Sequence, residues 1–307
     1  MIKTQIVILT EKIHYLLFRQ KMSQEMKSFL GNLSWSLSIG LLIMPLMMLV
    51  NTLAGRFMGP VEYGKYNLIL IINQFLIIFI FFGLDTTAVK NIAKAQSFQA
   101  RKRITSAISN YIYLALGVLI LLTAIAYPIL LRYASGYALI AVLVSIYALV
   151  VSIKITFDLF IRGMENFKKQ AQAKAVEISI IILAFLVVFI VMKSHSFVSF
   201  VIVICAGAIG ISTFYFLNLK QYLGQSNIRE ILKQPHEGKL FFLSALAGTI
   251  YLSSDRFAVT QYLGVRELGI YSAYYLASFT MISLLTQLFT NVFLPATART
   301  RDKNFLY

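Results

Sequence analysis

Four charged side chains lie inside long apolar runs: Lys154 and Asp158 in one, Asp255 and Arg256 in another. A charge at the centre of a bilayer costs about 2.5–3.5 kcal/mol on insertion scales, so such residues must face protein or water. Lys154, Asp158 and Arg162 are spaced i, i+4, i+8, which on a helix sets + − + along a single face. That triplet either neutralises itself, with Arg162 reaching the headgroups, or lines a hydrated cavity. Asp255 and Arg256 are neighbours, about 100° apart around a helix, and cannot satisfy each other fully. Each needs a further partner or wet space, and a guanidinium offers a planar fork to phosphate oxygens. The chemistry implied is electrostatic binding inside a membrane cavity. Covalent chemistry has no foothold. His14, His195 and His236 are far apart, the single Cys205 permits neither an intrachain disulfide nor a Cys-based metal site, and no D-x-D pair occurs. No catalytic residue, metal ion or cofactor is expected.

Three further polar residues form a second tier. Asn51 is a cavity candidate or inter-helix glue. Arg56 is a cavity candidate or an external flanking charge. Glu177, at the cytoplasmic start of the fifth run, reads as a capping or headgroup-level residue, with a proton-coupling role as the alternative. Pro45, inside the first apolar run, is expected to kink it.

The elements that carry these residues follow from composition. Hydrophobic residues make up 59% of the 307 and charged ones 13%, where a soluble domain has about 45–50% and about 25%. So much apolar surface belongs in lipid. Runs of about 20 apolar residues, the length needed to cross the hydrocarbon core, occur at 29–54, 66–84, 107–131, 137–160, 175–192, 197–219, 240–263 and 268–294. They lack the two-residue alternation of a barrel strand, so the expected fold is all-α, a polytopic membrane bundle of eight helices. Connections alternate between dense and sparse in Lys and Arg. The second holds Lys90, Lys94, Arg101, Lys102 and Arg103, while the third holds Arg132 alone. The alternation places the N-terminus in the cytoplasm. It also accounts for the net charge of +16 as topogenic, with anionic membrane lipids rather than nucleic acid as its partner. The leader 1–28 is read as an interfacial helix, or as an extension preceding a true start at Met22 or Met26.

An internal repeat links distant parts of the chain. Gly59, Glu62, Gly64 and Tyr66 recur as Gly264, Glu267, Gly269 and Tyr271, a G-x-x-E-x-G-x-Y pattern offset by 205 positions. Both copies join one long helix to the next on the sparsely charged side. The glycines suit a tight external turn with positive φ, and the tyrosines suit the membrane interface. Under this offset Asn51 matches Arg256. The implied unit is six helices, repeated in parallel about the membrane normal with a site between lobes. The chain then divides into the leader (1–28), a six-helix lobe (29–219), a linker (220–239) and a partial second lobe (240–307). On this reading the protein is truncated or a fragment.

The sequence resembles the Wzx-type polysaccharide flippases, in the superfamily that also holds multidrug (MATE-type) exporters and lipid II flippases. The resemblance rests on Arg56-Phe-Met-Gly-Pro-Val-Glu-Tyr-Gly-Lys-Tyr66, Gly83-Leu-Asp85, Ile161-Arg-Gly-Met-Glu-Asn-Phe167, Ser254-Asp-Arg256 and the stretch from Leu263 to Ser272. It covers roughly Phe29 to Arg301. It implies two six-helix bundles around a central cavity in the bacterial inner membrane. It also implies transport of undecaprenyl-pyrophosphate-linked oligosaccharide, with a polysaccharide polymerase and glycosyltransferases as partners. Three alternatives remain. A drug or cation antiporter of the same fold would favour a more acidic cavity. A membrane-embedded glycosyl or acyl transferase would need a larger extramembrane loop. An inactive truncated product would need neither.

Overall fold

The computed structural model describes residues 24–133 and 135–280, together with 282 and 286. Every regular element among them is helical: α1 (Gln24–Phe81), α2 (Leu84–Lys94), α3 (Phe98–Tyr133), α4 (Ser135–Gly163), α5 (Phe167–Phe185), α6 (Phe197–Leu219), α7 (Ile228–Tyr262) and α8 (Val265–Tyr275). Single π-helical stretches continue α5 over Leu186–Val191 and α8 over Leu276–Thr280. The protein is thus an all-α membrane bundle. The expected leader helix at 1–20, the end of the eighth span and the C-terminal tail lie outside the described residues.

Five of the described helices are long and apolar enough to cross a membrane. The expectation was eight spans, and the difference has three sources. The first two expected spans form one broken helix, α1. α7 has the length but carries more polar residues than the other five. The eighth run leaves the described residues part-way. Helices also extend beyond the apolar runs. α5 starts at Phe167, where Asn166 caps it by accepting from the Lys169 N–H, and α7 starts at Ile228 rather than 240. Capping groups, not the edge of the oily stretch, set those ends.

α1 breaks at Gly59, its only residue with non-helical dihedrals (φ 74°, ψ 172°). Pro45, expected to kink the helix, leaves the dihedrals there helical. Limbs 24–58 and 60–81 pack against each other beyond the break. Val50, Ala54 and Met58 share a core with Tyr63, Tyr66 and Ile69, and that core extends to Phe185, Phe189 and Phe200 of the α5–α6 hairpin. Small residues let α5 and α6 approach closely, since a Cβ on Gly207 or Gly210 would meet Ile181 or Ile180. Two acceptors close the N-terminus of α6: Ser196 takes the Val198 N–H at 3.2 Å, and the Glu62 carboxylate takes the Phe197 N–H at 3.0 Å.

The two G-x-x-E-x-G-x-Y segments meet. Gly264 precedes α8 at φ 97°, ψ 176°, the conformation of Gly59 and a region open almost only to glycine. A Cβ on Gly64 would overlap the Val265 carbonyl, and one on Gly269 would overlap the Pro60 carbonyl. The contact is reciprocal: the sixth residue of each segment lies on the second residue of the other. The matched tyrosines differ in their surroundings. Tyr66 is buried beside Phe200, ring centroids 4.6 Å apart, and Tyr271 turns inward to Asp255.

Limb 60–81 then runs antiparallel to α7. Phe75 meets Phe257, and Phe79 and Phe82 meet Phe242, the last pair stacked at 4.2 Å. At the far end Gly83 and Gly238 bring the backbones together. We expect Gly59→Ala and Gly264→Ala each to cost about 1–3 kcal/mol of backbone strain, read as a lower thermal midpoint in detergent. Gly64→Ala and Gly269→Ala should lose at least as much, because their Cβ meets backbone. Gly117→Ala, where a Cβ meets nothing and the helix is regular, should be neutral or stabilising.

Candidate functional site

Two polar networks lie within the helical bundle. The first sits at the seam between limb 60–81, α7 and α8. Asp255 and Tyr271 lie about two helical turns on either side of Gly264, so the α7–α8 turn sets them level. The Tyr271 hydroxyl donates to Asp255 Oδ2 at 2.5 Å, and Oδ1 accepts the Arg256 N–H at 2.7 Å. The Arg256 side chain points elsewhere, as the 100° step between neighbours requires. Its Nη2 donates to the Leu252 carbonyl at 3.1 Å and to Gln74 Oε1 at 3.3 Å, and its guanidinium lies 4.7 Å from the Tyr275 ring centroid. Ser253 donates to the same Gln74 oxygen at 3.0 Å. Arg256 is 7% exposed, yet its Nε has no hydrogen-bond partner among the described residues. A buried donor left unbonded costs about 1–3 kcal/mol, and such a cost marks a functional candidate.

The second network lies among α4, α5 and α6. The expected + − + face of α4 does not close on itself as a chain of neighbours. Lys154 forms an ion pair with Glu177 of α5. Asp158 faces Arg162 Nε at 3.2 Å and accepts from Gln170 Nε2 at 3.0 Å and from the Tyr215 hydroxyl at 2.8 Å. One carboxylate thereby ties three helices. Glu177, expected at a helix cap or the headgroup level, does not cap α5, because that helix begins at Phe167, earlier than its apolar run, and is capped by Asn166. Different helices build the two networks, so the structure does not gather Lys154 and Asp158 with Asp255 and Arg256 into one cluster.

The remaining candidates scatter. Asn51 donates to the Met47 carbonyl of its own helix at 2.9 Å, the counterpart under the 205-residue offset of the bond from Arg256 to Leu252. Arg56 is exposed. Glu62 pairs with Lys65 at 2.6 Å besides capping α6, and Glu267 pairs with Arg266 at 2.7 Å. Four contributors escaped the reading of the sequence: Gln74, Tyr275, Gln170 and Tyr215. Gln74 had a signal, an amide within an apolar run. Tyr275 had one too, at i+4 from Tyr271 and hence on its face. The aromatic and amide partners of Asp158 had none, since nothing along the chain marks which helix packs on α4.

Fold and networks together define a polytopic helical membrane protein, and the bundle is similar to a solved MATE structure. The crystal structure of MATE in complex with MaD3S superposes with a TM-score of 0.54 at 19% identity. The match covers 89% of this chain and 64% of that one, so the chain spans less than two thirds of its length. The family is settled by sequence: residues 29–301 match the model of the polysaccharide biosynthesis protein family, and the chain belongs to it. No curated protein matches the sequence.

The partly buried Lys154–Glu177 pair makes a direct prediction. Glu177→Gln leaves a cation without its counter-charge and should lower stability by about 1–3 kcal/mol, less than a fully buried pair would lose. Replacing both, Lys154→Met with Glu177→Met, should restore most of the loss. Detergent unfolding of the single and double variants reads both, and equal losses in the two would show that the pair does not couple.

Proposed function

We propose that this chain acts in a transporter that carries lipid-linked oligosaccharide, an undecaprenyl-pyrophosphate-linked sugar, across the bacterial inner membrane. Membership of a polysaccharide biosynthesis family and a MATE-like fold both support transport over catalysis. In this reading two lobes related by the 205-residue repeat rock about a hydrated cavity, which spares the pyrophosphate and sugars the hydrocarbon. The polysaccharide polymerase and the glycosyltransferases of the same biosynthesis would be its partners.

Arg256 carries the proposal. It is a permanent cation in the apolar length of the bundle, at the seam where the first and second halves meet. Its Nε–H is uncommitted, and the other side of its fork is already oriented by Gln74 and Leu252. A pyrophosphate oxygen would supply the missing acceptor through a charge-assisted bond. Asp255, held by Tyr271, would balance the charge between substrates. Lys154 and Asp158 move in this reading from cavity wall to lobe core, where they hold α4, α5 and α6 as one rigid body.

The test is translocation in proteoliposomes loaded with labelled undecaprenyl-pyrophosphate-linked oligosaccharide, read by access of an external glycosidase. Wild-type protein should speed the appearance of accessible sugar. Arg256→Ala should cut the rate about tenfold or more, and Arg256→Lys should restore only part of it, since an ammonium lacks the planar fork. Both variants should insert normally. Wild-type rates in Arg256→Ala would remove this residue from the pathway. Proton-driven cation efflux without sugar movement would replace the proposal with an antiporter.

A further inference from the structure

A partly open cavity lies away from the seam, at the cation-rich end of the bundle. Its volume is about 570 Å³, between the end of α2, the first three turns of α3 and the first two turns of α7. That volume falls in the range of about 300–1,000 Å³ typical of small-ligand sites. Among the described residues, Lys94, Arg103 and Lys233 line it with one carboxylate, Glu230. Glu230 forms an ion pair with Arg103 and so fixes the direction of that guanidinium. The remaining wall mixes two amides, Asn91 and Gln234, with short apolar side chains, including Ala100, Ile104 and Ala107 on one face of α3.

The walls are held in place by their own bonds. Arg101 Nε donates to the Ala95 carbonyl at 2.9 Å across the α2–α3 turn. Thr105 and Ser106 donate to the Tyr222 carbonyl at 2.7 and 3.2 Å, and Asn110 donates to Gly224 at 3.2 Å. The segment that leads into α7 is thereby tied along α3, and the three cations are brought to one place from two connections far apart in sequence.

The face of α3 that lines the cavity does not stop there. Steps of three and four residues from Ala107 lead to Leu114, Val118 and Leu121, which are 56%, 51% and 60% exposed. The helix therefore offers cations and a cavity at its charged end and, beyond the buried Ala107 and the core-packed Tyr111, an exposed apolar stretch that runs around most of its circumference and includes Leu114, Val118 and Leu121. This is the profile of one amphiphile: an anionic head with an acyl or prenyl tail. A soluble anion would not need the apolar stretch.

We propose that this cavity binds the phosphate head of a membrane lipid, with Lys94, Arg103 and Lys233 as its cationic contacts and the Leu114–Leu121 stretch along its tail. Two lipids carry that chemistry, an anionic phospholipid and a polyprenyl pyrophosphate. The site does not rest on the transport proposal, because a resident phospholipid would fit it in a protein that moves nothing. Since the cavity joins α2 and α3 to α7, a bound lipid would also brace the first half of the chain against the second.

The experiment measures lipid affinity by native mass spectrometry of the full chain, titrated separately with phosphatidylglycerol and with undecaprenyl pyrophosphate in a neutral detergent. The variant Lys94→Gln/Arg103→Gln/Lys233→Gln is compared with Lys168→Gln/Lys169→Gln/Lys239→Gln, which removes the same charge elsewhere. The cavity variant should lose about tenfold or more in affinity for at least one lipid, and the control less than about twofold. Loss for phosphatidylglycerol assigns a resident phospholipid, and loss for undecaprenyl pyrophosphate alone assigns a substrate-gathering site. Equal behaviour of the two variants toward both lipids overturns the proposal. Should the triple variant fail to fold, Lys94→Gln and Lys233→Gln singly must each lower affinity by more than Lys168→Gln does. If neither does, the proposal falls.

Discussion

Lipid does not solvate charge, and the structure is arranged around that constraint. Lys154, Asp158, Asp255 and Arg256 each take at least one partner from another helix. Lys154 meets Glu177 across α4 and α5, and Asp158 collects Arg162, Gln170 and Tyr215 from α4, α5 and α6. Asp255 takes Tyr271 from across the α7–α8 turn. An unpaired charge would have to drag water or headgroups inward, so each of these contacts ties the packing of two helices to the satisfaction of one charge. Arg256 departs from the pattern. It is buried, oriented on one side, and still has an Nε–H with nothing to bond among the described residues.

The repeat gives that departure its setting. Gly59 and Gly264 adopt one conformation, and Gly64 and Gly269 each lie on the backbone of the opposite segment. A close contact of this kind holds two helix pairs at a fixed distance at one end of the molecule. Gly83 and Gly238 do the same toward the other end. Between them limb 60–81 and α7 touch through aromatic rings, with Gln74, Ser253 and Arg256 as their polar link. Any relative movement of the halves has to pass through these contacts. The polar link then sits where a moving interface would expose it.

How much of this was legible differs from residue to residue. The rarity of charge in an apolar chain picked out Lys154, Asp158, Asp255 and Arg256 without any structure, because the insertion penalty depends on residue type and depth alone. Partnerships were not legible. Spacing of i, i+4 made Lys154 and Asp158 look like a pair, but the side chain across the helix interface competes with the one along the helix, and Glu177 and Tyr215 won. The capping reading of Glu177 failed because the helix starts before the apolar run does. That the α5–α6 hairpin covers Tyr66 was not legible either.

Local physics is what a sequence encodes by itself: the cost of charge in hydrocarbon, the backbone freedom of glycine at positions 59 and 264, and the length of chain that spans a bilayer. These determined the helical class, the position of the turns and the short set of residues that need explanation. Which helix lies against which is a property of the whole chain, decided by the fit of many weak contacts that no short window contains. Only the tertiary structure could therefore bring residue 64 to 265, residue 74 to 256, and the cations at 94, 103 and 233 around one cavity.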